Sequence, residues 1–281
     1  MKYYFDKMHG CGNDFIFIEN SAGLIEFTPE QIAFLCDRHF GIGADGLILT
    51  EKRAGRFFMN YYNSDGTAAQ MCGNGMRCTA EYLRRYGFIR DPEAVIGSRA
   101  GDIPVQILEP GFISVQLKVP DYSCASLPMT APDGSDEAVD CELEIDGQKL
   151  RYGCLSVGNP HMVVIADPEK TDIDKLGPAL ENHPMFPEKA NINFAWADDP
   201  GHIRLITWER GAGRTLACGT GTSATAALLN KIGLTDNRVE ATVPGGKLDI
   251  EITEQGIIMT GPAAFVFSGE IDLPDDPAQQ S

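Results

Sequence analysis

One spacing constrains this chain more than any other feature. Cys72 in "MCGNGMRC" and Cys218 in "ACGTGTSA" each precede a Gly-x-Gly and open a segment of helical spacing, and they stand 146 positions apart (218 minus 72). The same offset carries Asn13 of "HGCGNDFIFI" onto Asn159 of "SVGNPHMVVI", each after a glycine and ahead of an apolar run. It also carries Asn63 onto Glu209, nine residues before either cysteine. Three correspondences at one gapless offset indicate an internal duplication. Such a period is far too long for a solenoid, so the expected fold is two copies of one α/β domain related by a pseudo-twofold axis.

Apolar alternation marks strands at "DFIFIEN", "GLILTE", "RFFMNYYN", "PVQIL" and "FISVQLKV" in the first half. In the second it marks "HMVVIA", "NINFAW", "HIRLITWE", "KLDIEIT" and "GIIMTG". The segments after the two cysteines read as helices ending at Gly87 and Gly233. The second is nearly bare of charge until Lys231, as befits a helix buried on most sides by a wrapped sheet. The fold class is therefore α/β (α+β), with a strand-rich mixed sheet around a central helix in each half. The acidic stretch "PDYSCASLPMTAPDGSDEAVD" reads as the interdomain connection followed by an exposed loop. The closing residues 275–281 read as a disordered tail.

The 281 residues suit two domains of ordinary size. With 23 Lys plus Arg against 40 Asp plus Glu, the net charge is −17, which would repel a phosphate backbone or an anionic membrane surface. Neither nucleic acid nor membrane is an expected partner. The opening "MKYYFDKMHGCGNDFIFIEN" lacks the unbroken apolar core of a signal peptide, and no later run reaches membrane-spanning length, so a soluble, cytoplasmic protein is expected. Its eight cysteines then read as reduced thiols. Cys36, Cys124, Cys141 and Cys154 have no glycine frame and read as small packed side chains.

A thiol at a helix N-terminus meets unpaired backbone N–H groups and the positive end of the helix dipole, both of which favour the thiolate. Cys72 and Cys218 are thus candidate bases near neutral pH. The glycines after each let the backbone approach a bound anion, so two such termini aimed at one carboxylate imply a small carboxylic acid as ligand. If both hold the same carboxylate, the pseudo-twofold axis puts the thiols on opposite faces of its α-carbon. One thiolate then removes the α-proton while the opposite thiol delivers another, which inverts the centre. The α-hydrogen is a far weaker acid than a thiol of pKa about 8.5, so the carbanion needs help.

No phosphate loop and Schiff-base lysine pair suits pyridoxal phosphate here. Backbone dipoles on the carboxylate are expected instead, each well-aimed donor contributing on the order of 3 kcal/mol in a dry site. No cofactor is expected, and no metal, because His9, His39, His183 and His202 form no ligand spacing with the cysteines. His161, two residues after Asn159, and Glu209 are the titratable residues placed to tune the thiols. Arg210 beside Glu209 can clamp a carboxylate with two hydrogen bonds.

Taken together, "KMHGCGNDF", "NSDGTAAQMCGNGMRC", "GNPHMVV" and "ERGAGRTLACGTGTSA" resemble the diaminopimelate epimerases over nearly the whole chain. These are cofactor-independent enzymes that interconvert L,L- and meso-diaminopimelate on the route to lysine and bacterial cell wall. The resemblance implies that Cys72 and Cys218 are the acid and base pair, with His161 and Glu209 adjusting their pKa values. It implies substrate contacts from Asn13, Asn63, Gly73, Asn74, Asn159, Asn191, Glu209, Arg210, Gly219 and Thr220, in a cleft between the domains. It also implies that the last strand, near "AAFVFSGEI", returns to the first domain, giving domains of 1–118 with about 264–274, and 119–263. Arg214 stands where the family pattern has an acidic residue, and Gly46 where some members have glutamine. A homodimer is left open. The alternatives are a proline or hydroxyproline racemase of the same fold, and a noncatalytic thiol redox sensor or amino acid binder.

Overall fold

The computed structural model describes residues 1–131, 134–145 and 147–273; the expected tail at 275–281 lies outside them. In chain order the elements are β1 (Lys2–Gly10), β2 (Asn13–Asn20), α1 (Pro29–Cys36), β3 (Gly46–Arg53), β4 (Arg56–Asn63), α2 (Gly73–Arg85), β5 (Glu93–Ser98), β6 (Gly101–Glu109) and β7 (Phe112–Leu117). They continue with β8 (Cys141–Ile145), β9 (Gln148–Ser156), β10 (Pro160–Ile165), α3 (Ile173–Glu181), β11 (Asn191–Asp199), β12 (His202–Glu209), the short β13 (Gly213–Arg214), α4 (Gly219–Lys231), β14 (Arg238–Val243), β15 (Gly246–Thr253), β16 (Gly256–Pro262) and β17 (Ala264–Asp272). Two compact units result, one of Met1–Val115 with the chain from Gly261 onward, the other of Gln116–Thr260.

The duplication is visible strand by strand. From β17 through β1, β2, β3, β4, β5 and β6 to β7, successive pairings in the first unit run antiparallel, antiparallel, parallel, antiparallel, parallel, antiparallel and antiparallel. From β8 through β9, β10, β11, β12, β14 and β15 to β16, the second unit repeats that series. The registers match as well: Phe15 faces Gly46 where His161 faces Asn191, and Leu47 faces Tyr62 where Ile192 faces Trp208. The offset is not gapless, however. It is 146 at β4/β12 and α2/α4 but 145 at β3/β11, β5/β14 and β6/β15, because connections absorb single-residue changes that a strand register cannot.

The unbroken run Phe15, Ile16, Phe17, Ile18 in β2 is buried throughout because both faces of the strand are covered. Ile16 and Ile18 pack in the α1 cluster with Ile32, Leu35 and Leu47, while Phe17 stacks on Tyr82 of α2 at 5.2 Å. The second unit matches this, with Met162 and Val164 of β10 packed against Ile173, Leu176 and Leu180 of α3. Its α4 is covered by β9, β10, β11, β12, β14 and β15. Both central helices end alike. Gly87 and Gly233 take positive φ (73° and 75°), and Phe88 and Leu234 donate to the carbonyls of Leu83 and Leu229, which satisfies carbonyls the last turn would orphan.

The burial expected of α4 is observed, and α2 is buried alike from Gly73 to Leu83 although it carries Arg77 and Glu81. One reading from the sequence needs correction. The acidic stretch after Pro120 is not simply an exposed loop. Its Cys124, Leu127, Met129, Ala131 and Ala138 belong to the core of the second unit, anchoring acidic residues that remain outside. Among the described residues no helix is long and apolar enough to cross a membrane.

Candidate active site

In the first unit, Cys72 is the N-cap of α2, with extended backbone (φ −138°, ψ 121°), and its Sγ accepts the Gly75 N–H at 3.4 Å. Gly75 packs closely here: a Cβ would stand 3.1 Å from Ile48 Cδ1 and 3.4 Å from Cys72 Cβ. The β1–β2 turn, with Cys11 and Gly12 at positive φ (53° and 81°), brings Asn13 to the corner. There Asn13 Oδ1 accepts from Cys72 Sγ (3.7 Å) and from Asn74 Nδ2 (3.2 Å).

The orientation of these amides is forced from both ends. Arg77 can only donate, so the oxygen of Asn74 faces its Nη2 (2.9 Å) and the nitrogen faces Asn13. The Asp45 carboxylate oxygens accept from Asn13 Nδ2 at 2.8 Å and from Arg38 Nη2 at 2.8 Å. A one-way chain of hydrogen bonds therefore runs from Arg77 through Asn74 and Asn13 to Asp45. Its far end is held by Asp14, which Arg38 grips with two bonds (3.0 and 2.8 Å) and Lys7 with a third contact at 2.7 Å. Although burial opposes it, those cations hold the Asp14 carboxyl down at about 2. Asn63, at the end of β4, donates Nδ2 to Thr67 Oγ1 at 3.0 Å.

The second corner has the same backbone and a different setting. Cys218 is the N-cap of α4 (φ −115°, ψ 108°), is itself buried, and lies 3.6 Å from Thr220 Oγ1. Burial raises its thiol well above the ordinary range, and Glu209 raises it further through charge and a side-chain hydrogen bond, against the Thr220 hydroxyl and Gly221 N–H. Cys218 thus rests as a thiol. The N–H groups and dipole of α4, which favour the thiolate, are opposed at Cys218 by desolvation and a neighbouring carboxylate.

Beneath this corner lies a polar network whose residues are replaced at the equivalent positions of the first unit. Asn193 Oδ1 accepts from Thr207 Oγ1 (2.9 Å), and its Nδ2 donates to the Met162 carbonyl (3.2 Å) and to His161 Nδ1 (3.2 Å). That fixes the imidazole with its proton on Nε2, which donates to Asn159 Oδ1 at 3.0 Å. The positions equivalent to His161, Asn193 and Thr207 are Phe15, Ile48 and Tyr61. Burial first, with the charge of Arg210 adding to it, pushes the His161 pKa down to about 3. His161 is consequently a neutral imidazole that orients Asn159. Asn191 Nδ2 donates to the Pro160 carbonyl, while its oxygen accepts the Arg210 N–H (both 3.0 Å), and Arg210 Nη1 donates to the Glu188 carbonyl at 3.0 Å. Arg214 is exposed, with its Nη1 3.9 Å from Asp174.

A pH dependence follows. The folded state refuses a proton on His161 that the unfolded chain accepts below about pH 6.5, so this contribution to stability is complete above that pH and lost as pH falls toward 3. Urea unfolding midpoints should therefore drop on acidification, by about 1 kcal/mol of stability per pH unit below about 6. In His161→Gln that slope should flatten.

Sequence reasoning located both corners but not Arg77, Asp45, Asn193 or Thr207. Asn193 was within reach: two residues beyond Asn191 on one strand, it shares its face. Among the described residues no group of three or more His, Cys, Asp or Glu could hold a metal ion. Of the remaining cysteines, Cys36 is pushed up to about 12 and Cys154 well above its ordinary range by burial, so both are inert packing.

Comparison with known proteins identifies the family. The family model for diaminopimelate epimerase matches residues 5–119 and 153–266. The diaminopimelate epimerase of Synechococcus elongatus is 38% identical over 278 residues, covering 97% of this chain and 99% of its own. That of Desulfitobacterium hafniense is 40% identical over 277 residues, covering 94% and 96%. Among solved structures, a probable proline racemase from Agrobacterium radiobacter shares the fold, with a TM-score of 0.71 at 15% identity over 98% of this chain and 94% of that one. On the strength of the family model and of relatives matched over nearly their whole length, this chain belongs to the diaminopimelate epimerase family.

Proposed function

We propose that this isomerase interconverts L,L- and meso-diaminopimelate by a cofactor-independent two-base reaction in which Cys72 and Cys218 are the base and acid. The observation that carries the reading is the recurrence of a helix-capping thiol at the same place in both repeats. Inversion at one α-carbon needs a proton removed on one face and another delivered on the opposite face, and two such corners supply the two groups. One thiolate takes the α-proton, breaking C–H and forming S–H; the other thiol breaks its S–H and forms the new C–H. The electron pair rests meanwhile on the α-carbon and its carboxylate, stabilised by the N–H groups of Gly73, Asn74, Gly219 and Thr220. Water exclusion strengthens those dipoles.

In this reading Glu209 takes the proton from Cys218 when the reaction needs a thiolate there, while Cys72 is only partly buried and receives the Gly75 N–H. His161 contributes as a neutral imidazole that sets Asn159. Asn13, Asn63, Asn159, Asn191 and Arg210 bind the distal amino acid end of the substrate, the feature that a proline-type racemase has no use for. In Glu209→Gln, turnover should fall by about a hundredfold. Alkylation of Cys218 by iodoacetamide at pH 8 should meanwhile quicken, because the charge that holds its proton is gone.

The assay is chiral chromatography of L,L-diaminopimelate, L-proline and trans-4-hydroxy-L-proline incubated with the reduced protein, without pyridoxal phosphate. Formation of meso-diaminopimelate alone supports the proposal. Inversion of proline or hydroxyproline with diaminopimelate untouched would replace it by the racemase reading.

A further inference from the structure

Glu209 is held in place from outside its own strand. Glu181, the last residue of α3, is 6% exposed, and its carboxylate accepts three hydrogen bonds. Oε2 takes the Trp208 indole N–H at 2.8 Å, and Oε1 takes the Gly211 N–H at 3.1 Å and Lys189 Nζ at 3.4 Å. Trp208 and Gly211 flank Glu209 and Arg210 in sequence, so one carboxylate grips the bend on both sides of the residue that reaches Cys218. Between those grips Asn191 takes the Arg210 N–H.

The seat for this clasp is also built into α3. A Cβ at Gly177 would stand 2.5 Å from Cδ2 of Trp208, so only glycine lets the indole lie flat on the helix and aim its N–H at Glu181. Burying a carboxylate is costly unless its lone pairs are filled, and three donors fill them. Among the described residues, the first unit does without this clasp. Its α1 ends in Cys36 where α3 ends in Glu181, and the bend after Asn63 closes on itself, Asn63 N–H donating to the Thr67 carbonyl (2.9 Å) and Thr67 to Asp65. A clasp found only in the repeat that carries a carboxylate beside its cysteine is tied to that carboxylate.

We propose that Glu181 is a positioning residue for the epimerisation, fixing Trp208 and Gly211 so that the Glu209 carboxylate stays against Cys218. The inference rests on the assignment of Cys218 to the reaction. The charged and titratable groups of this unit around the bend are Glu209 and Arg210 at the end of β12, Glu181 from α3, Lys189 ahead of β11, neutral His161 from β10, and the exposed pair Arg214 and Asp174.

The test is the pH profile of Cys218 alkylation by iodoacetamide in a Cys72→Ser background, read by peptide mass spectrometry, beside kcat and KM in the otherwise unaltered enzyme. In Glu181→Gln the amide cannot accept from all three donors, since its nitrogen must face one of them. Glu209 then leaves Cys218, and the midpoint of the profile should move down by about half to one pH unit. Trp208→Phe removes a single donor and keeps an aromatic ring, so it should shift the midpoint in the same direction by less, and it decides the matter should Glu181→Gln not fold. kcat should fall about tenfold in Glu181→Gln, with Glu181→Asp recovering part of it. An unmoved midpoint in both variants, even with lowered thermal stability, would show Glu181 to be structural only and overturn the proposal. Because alkylation is read without turnover, a parent protein inactive on diaminopimelate would refute the functional assignment and leave this comparison readable.

Discussion

Cys72→Ser and Cys218→Ser are each expected to lower kcat by at least about a thousandfold while leaving the protein folded. A serine hydroxyl is much the weaker acid, so it can neither stand ionised as the base nor release its proton as readily, and removing a positioned acid or base costs up to about ten-thousandfold. The fold should survive for reasons specific to each corner. At position 72 the Gly75 N–H that now reaches sulfur at 3.4 Å finds a better acceptor in a serine oxygen, which is a favoured N-cap. At position 218 the Thr220 oxygen, 3.6 Å from sulfur, can partner a buried hydroxyl. Substrate binding, measured by calorimetry, should be largely kept, since the contacts assigned to asparagines and backbone are untouched. Parent-like turnover in either variant would remove that thiol from the mechanism.

Gly221→Ala should be the most damaging single-methyl change in the second corner. Its Cβ would lie 2.3 Å from Asn193 Oδ1, 3.0 Å from Thr207 Oγ1 and 3.2 Å from Cys218 Cβ. Asn193 cannot yield without loosening its bonds to the Met162 carbonyl and to His161 Nδ1. Overpacking and broken polar contacts together should cost about 3 kcal/mol, lowering the melting temperature by about 6 to 12 °C at this size. Gly75→Ala is its counterpart in the first unit and should be milder. There the added methyl meets the end of the Ile48 side chain at 3.1 Å, which can rotate away. Melting curves of the two variants side by side give the comparison, and equal losses would mean that the His161–Asn193–Thr207 network does not stiffen its corner.

The repeat made much of this molecule readable from sequence. Strands with a buried alternation, such as β12 and β15, were plain, and so were α2 and α4, which carry a turn of glycine at each end. β1 was hidden because Phe5, Asp6, Lys7 and Met8 are buried in succession, the polar groups among them being satisfied by partners on other elements: Asp6 accepts from the Tyr86 and Ser268 hydroxyls, and Lys7 pairs with Asp14. Periodicity cannot register a strand whose polar residues face inward and are satisfied there. β8 was hidden for the opposite reason, as a half-exposed strand of alternating acidic and apolar residues directly after a stretch read as loop.

The cysteine corners were legible because a glycine pattern marks them. Their environments were not, since Glu181, Asn193 and Asp45 act through contacts made between elements. The lowered pKa of His161 and the raised one of Cys218 are likewise effects of burial, which one residue's neighbours in sequence do not reveal.

The two-thiol mechanism is tested most directly by proton NMR of L,L-diaminopimelate with the reduced protein in heavy water, sampled during the first few per cent of conversion. The account predicts meso product carrying one deuterium, at the inverted α-carbon, while the remaining L,L substrate stays protiated, because the proton taken by one thiol is not the one delivered by the other. Protium retained at the inverted carbon, or deuterium entering substrate as fast as product, would mean that a single base serves both faces and would contradict it.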